Sequence, residues 1–103
     1  MVDEKTFKAR LNKMPPPRNI LQVTGVVTVP TTGWFVGLVK AVPQGVNPAI
    51  LILEVMRIPP DQQGGDLVMH IPVLFGKYES PDYTDVTIRD GKDEFTIPVK
   101  VVH

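Results

Sequence analysis

The residues able to do chemistry are few and scattered. Ser80 is the only serine, set in "YESPDY" among acids and followed by proline. No Gly-x-Ser-x-Gly elbow surrounds it. Neither histidine is placed to act as its base: His70 lies mid-strand in "LVMHIPV" and His103 is the last residue. Ser80-Pro81-Asp82 therefore reads as a turn. Met69 and His70 form a soft donor pair that would suit copper, but successive residues of a strand point to opposite faces, so the two do not share an ion. His103 joins His70 only if the last strand runs beside it.

Six acids, Glu79, Asp82, Asp85, Asp90, Asp93 and Glu94, crowd one stretch. Calcium needs several oxygens converging on one point. A hairpin through "IRDGKDE" sends Asp82 and Asp85 to one end and Asp90, Asp93 and Glu94 to the other, which splits the cluster. Solvated turn residues are the reading that follows. The chain has no cysteine, so thiolate sites, cysteine nucleophiles and disulfides are excluded. No catalytic, cofactor-binding or metal-ligating set emerges, and the expectation is a protein that is not an enzyme and carries no cofactor. A compact pocket holding His70 with two acids would revive the enzyme reading.

Lys5, Lys8, Arg10, Lys13 and Arg18 concentrate near the N-terminus. A basic arm can touch phosphates. Here no aromatic platform and no glycine-rich phosphate loop accompany it, and 11 basic residues balance 11 acidic ones. Nucleic acid is not an expected partner. The basic segment is expected to lie near the acidic sixth strand or its turns.

These side chains must be positioned by strands. Eleven prolines and eight glycines fall between β-branched, apolar runs, the punctuation of a β protein with many turns. Extended segments are predicted near residues 5–11, then over 19–29, 33–42, 49–58, 67–78, 83–90 and 94–102. The first is ambiguous: "DEKTFKARLNKM" spaces Phe7 and Leu11 four apart, which suits a short helix capped by Asp3, and Thr6–Leu11 equally suits an edge strand. Pro15-Pro16-Pro17 forms a stiff connector. The Asp-Gly of "IRDGKDE" predicts an antiparallel hairpin. Pro72 and Pro98 cannot donate ladder hydrogen bonds and belong on an edge or at a bulge.

About seven short strands in 103 residues match the pattern of a single-domain antiparallel β-sandwich of immunoglobulin-like type, without the Cys…Trp…Cys spacing of antibody domains. The domain is expected to span residues 1–103, with 1–18 as an N-terminal arm or edge strand. No stretch approaches the roughly 18 apolar residues of a membrane helix, and the first residues lack a signal core. The chain as given is expected to be cytoplasmic or an excised mature domain.

Face parity raises the functional question. Trp34, Val36 and Leu38 share a predicted core face. "AILILEVM" is apolar at both parities: Leu51, Leu53 and Val55 on one side, Ile50, Ile52 and Met56 on the other. "WFVGLV" repeats this with Phe35 and Val39, and "IPVLFG" does so again. Gly37 and Gly76 in these strands would let another surface approach closely. A two-layer fold leaves nothing to cover a second apolar face except the N-terminal arm through Phe7, Leu11 and Met14. Phe35, Val39, Ile50, Ile52 and Met56 are therefore the candidate contact residues. The expected function is a non-catalytic interaction or structural module, a homo-oligomer or one docking on a protein partner. The alternative is a small-ligand or carbohydrate-binding module with Trp34, Phe35 or Tyr78 as platform.

Overall fold

A computed structural model describes residues 4–13, 19–30, 33–62 and 67–102. The Pro15-Pro16-Pro17 connector, Met14, Arg18 and His103 lie outside the described residues. One 3-10 turn, η1 (Glu4–Thr6), precedes seven strands: β1 (Lys8–Asn12), β2 (Ile20–Val29), β3 (Phe35–Lys40), β4 (Ile50–Ile58), β5 (Met69–Lys77), β6 (Asp85–Asp90) and β7 (Asp93–Val102). They form one sheet in the order β3-β4-β6-β7-β1-β2-β5. Its two end strands, β3 and β5, come into contact, so the sheet curls almost into a barrel.

The sheet is mixed, not antiparallel as the hairpin signals suggest. β1 runs parallel to β7, and β4 parallel to β6. The remaining neighbours are antiparallel. Alternation of side chains sets which face a residue occupies and leaves the direction of its neighbour open. That is why both parallel pairs escape a reading of the sequence.

The ambiguous first segment is a strand, and an interior one. Phe7, Ala9 and Leu11 are buried at 5%, 3% and 1% exposure, while Lys8, Arg10 and Asn12 face solvent. A separation of four, as between Phe7 and Leu11, fits a helix turn and two strand periods alike. The alternating cations between them favour the strand. β1 inserts between β7 and β2, so it is neither an edge nor a cover for an outer face, and Phe7 and Leu11 are spent in the main core.

That core is built by inward residues of every strand. Leu11, Leu21, Val23, Val27, Val29, Leu51, Leu53, Val86 and Ile88 are essentially inaccessible. Each such side chain contributes about 1.5–3 kcal/mol of burial free energy. The ring of Phe7 stands edge-on to Phe95 at 5.4 Å between centroids. It also lies on Gly25, where a Cβ would come within 2.5 Å of its carbons. The Thr6 hydroxyl accepts the Val26 amide at 2.9 Å and fixes η1 on β2.

The predicted hairpin joins β6 to β7 with Asp90 opposite Asp93. Gly91 has φ 61°, as the first central position of a mirror-type two-residue turn requires. Pro72 lies on β5, the terminal strand of the order. Pro98 lies on an interior strand, at the point where β7 changes neighbours. Its ladder with β6 ends at the Asp85–Pro98 pair, and its ladder with β1 begins at Ala9–Val99.

Candidate functional site

On the outer face of β3 and β4, register places Phe35 beside Ile58, Gly37 beside Met56 and Val39 beside Glu54. Phe35 is 58% exposed and Ile58 50%. Val39 is exposed, and Met56 and Ile50 are half-buried. Ile58 continues the parity of Met56 and belongs to the same patch. Sequence reasoning stopped one position short of it, although the same alternation would have found it.

Ile52 differs. It lies on the same face by parity and is only 7% exposed. The segment between β3 and β4 folds over it. Ala41 donates its amide to the Ile52 carbonyl at 3.0 Å, extending the ladder by one step. Gln44 then takes the place of a strand: its Nε2 donates to the Ala41 and Ile52 carbonyls at 2.7 and 2.9 Å, and its Oε1 accepts the Ile52 amide at 2.9 Å. Gly45 packs so closely that a Cβ there would lie 3.1 Å from Ile52 Cδ1. A third layer within the chain thus covers Ile52. The same loop holds Val42 and Val46 out in solvent, at 90% and 104% exposure.

Beyond β4 the outer face turns polar. Glu54, Arg89 and Glu94 form a row across β4, β6 and β7, with Arg89 Nε donating to Glu94 Oε2 at 3.2 Å. Next to it the hydroxyls of Thr87 and Thr96 meet at 2.9 Å. Opposite charges and paired hydroxyls at directly facing positions are favourable cross-strand pairs. The apolar patch is therefore bounded by the Gln44 loop at one end and by this polar row at its side.

Gly37 and Gly76 are not sites of close approach within the chain. A Cβ at Gly76 meets nothing within 4 Å, and one at Gly37 makes only ordinary contact with Met56 and Phe35. Trp34 is half-buried against the core, as its parity with Val36 and Leu38 predicts. Tyr78 is 80% exposed and lines a shallow cleft of about 330 Å³ with Asn19, Ile20 and Glu79.

The candidate reactive groups stay apart. Ser80 is 3% exposed and its hydroxyl donates to the Pro81 carbonyl at 2.8 Å. His70 Nδ1 lies 3.0 Å from the Thr28 hydroxyl on the solvent side of β2 and β5. Asp82 pairs with Lys13 at 3.1 Å, so one residue of the basic segment does reach the acidic stretch. Asp85 and Asp90 stand at opposite ends of β6. Asp90 closes one end of the core by accepting from Arg57 Nη2 at 2.7 Å. Among the described residues no three His, Cys, Asp or Glu side chains converge on a common point. No described helix is long and apolar enough to cross a membrane.

Compared with protein-family models, with curated proteins and with solved structures, the chain matches none.

Proposed function

We propose that this chain is a non-catalytic interaction module that self-associates, or docks on a larger assembly, through the outer face of β3 and β4. The observation that supports the reading is the Phe35–Ile58 pair, with half or more of each side chain in solvent and Met56 and Val39 continuing the patch. Contiguous apolar surface of this kind usually marks a contact. A two-fold dimer is the commonest closed arrangement. Ile52 contributes by holding the loop that walls the patch, and Ile50 lies beyond that loop, opposite Asp85. Light scattering across a concentration series tests the proposal. The parent is expected to be dimeric or larger, and Phe35→Ser with Met56→Lys is expected to return a folded monomer that still unfolds cooperatively. A parent that stays monomeric at millimolar concentration would refute self-association.

The Tyr78 cleft favours a second reading, a small-ligand or carbohydrate-binding module. An exposed aromatic ring beside the Asn19 amide and the Glu79 carboxylate offers a stacking surface and polar partners. Titration with mono- and disaccharides, followed by aromatic chemical shifts, decides it. Saturable shifts at Tyr78 support it, and their absence sets it aside.

A further inference from the structure

On the opposite side of the molecule the sheet opens where β1 and β7 part. Lys8 and Arg10 project outward from β1, and Lys100 projects from β7 directly beside Arg10 in the parallel register. Like charges at neighbouring cross-strand positions are unfavourable, and neither strand is an edge where lysines would guard against aggregation. Lys13, Arg57 and Arg89 all have carboxylate partners. Lys8, Arg10 and Lys100 form no ion pair among the described residues. Three adjacent cations are thus left uncompensated in a chain of zero net charge.

The backbone makes this cluster concave. Pro98 has no amide hydrogen with which to continue the ladder toward β1, and pairing starts only at Ala9–Val99. Below that step the strands separate around a cleft of about 320 Å³, floored by Phe7, Ala9, Ile97 and Pro98 and rimmed by Lys8, Arg10 and Lys100. A second depression of about 200 Å³ adjoins it on the β2 side. There Gln22 lies opposite Arg10 and Thr24 opposite Lys8, adding neutral hydrogen-bond donors. On the β6 side Asp85 stands opposite Pro98, and its carboxylate accepts from the Thr84 hydroxyl.

We propose that this cleft binds a small phosphorylated molecule, its phosphate held by Lys8, Arg10 and Lys100 and its less polar part on Pro98 and Ile97. A guanidinium flanked by ammonium groups and neutral donors suits a multivalent oxyanion. The volume is that of a small-molecule site. A nucleic acid is disfavoured because the charge is local and no exposed aromatic lines the cleft.

Inorganic pyrophosphate is the probe, titrated into the full chain at low ionic strength and followed by backbone amide shifts. The expected result is saturable one-to-one binding, with shifts confined to residues around positions 8–10, 22–24 and 98–100. Arg10→Gln and Lys100→Gln should each weaken it about tenfold, the scale of one charge-assisted hydrogen bond. Lys40→Gln, an exposed cation on β3, should leave it unchanged. All three positions are exposed, and a melting curve of each variant checks that the fold is kept. Shifts spread over every lysine, equal effects of Arg10→Gln and Lys40→Gln, or binding of an oligonucleotide or of phosphatidylglycerol vesicles without binding of pyrophosphate would each overturn the proposal.

Discussion

The two ends of β4 carry apolar side chains on the same outer face and treat them in opposite ways. At one end Ile52 is roofed by the loop from Ala41 to Ala49, which Gln44 ties down with three hydrogen bonds. At the other end Ile58 lies open beside Phe35, and Met56 next to them is only half-buried. The contrast shows that parity assigns a residue to a face but does not decide whether that face is wet. A single side-chain amide that imitates a strand is enough to convert outer surface into core. Where no described residue supplies such a roof, Phe35 and Ile58 stay exposed.

Five substitutions test this contrast. The largest effect is expected from Ile52→Lys, which places a charge under the Gln44 loop and should cost about 4 kcal/mol in denaturant unfolding. Met56→Lys, on the same face, should cost no more than about 1 kcal/mol. Equal tolerance of both would mean that the loop is not a true roof. Next, Trp34→Ala should cost about 3 kcal/mol, since Trp34 packs on the inner side next to Phe35 on the outer one. A variant that melts like the parent would place Trp34 among the surface residues.

Gln44→Ala should cost about 2 kcal/mol and accelerate hydrogen exchange at the Ile52 amide, which loses its acceptor. Unchanged exchange there would show that the loop is held by other contacts. Smallest in stability is Phe35→Ser, expected within about 0.5 kcal/mol of the parent in unfolding. Its effect should appear instead as loss of self-association in sedimentation, and a variant that unfolds early would move Phe35 into the core.

The strands themselves were legible because period-two alternation survives in every segment, from Leu21, Val23, Val27 and Val29 to Phe95, Ile97 and Val99. The Asp90-Gly91 turn was legible for the same local reason. Both parallel pairs were not, because they join segments with no shared turn to announce them. The roof over Ile52 was hidden because "PQG" reads as an ordinary turn, and nothing in it says that the amide of Gln44 will reach back to Ile52. Of the candidate contact residues, Phe35, Val39 and Met56 could be found by parity alone. The cationic cleft was half visible in Lys8 and Arg10. Lys100 lies far away in sequence and joins them only through the register of β1 on β7.

That register also dictates an order of events. Ala9 finds Val99 about 90 residues further along the chain, whereas the β6–β7 hairpin closes through a two-residue loop. Each doubling of a closed loop adds roughly 0.6 kcal/mol of entropic cost, and sheets dominated by distant pairings fold in milliseconds to seconds. During synthesis β1 emerges long before β7 exists. In that interval β1 has only β2 to pair with, and its other edge stays free beside the apolar row of Phe7, Ala9 and Leu11. An exposed edge next to apolar side chains is what other chains capture. A strand that ends up in the interior of the finished sheet is therefore at risk of mispairing while it is being made.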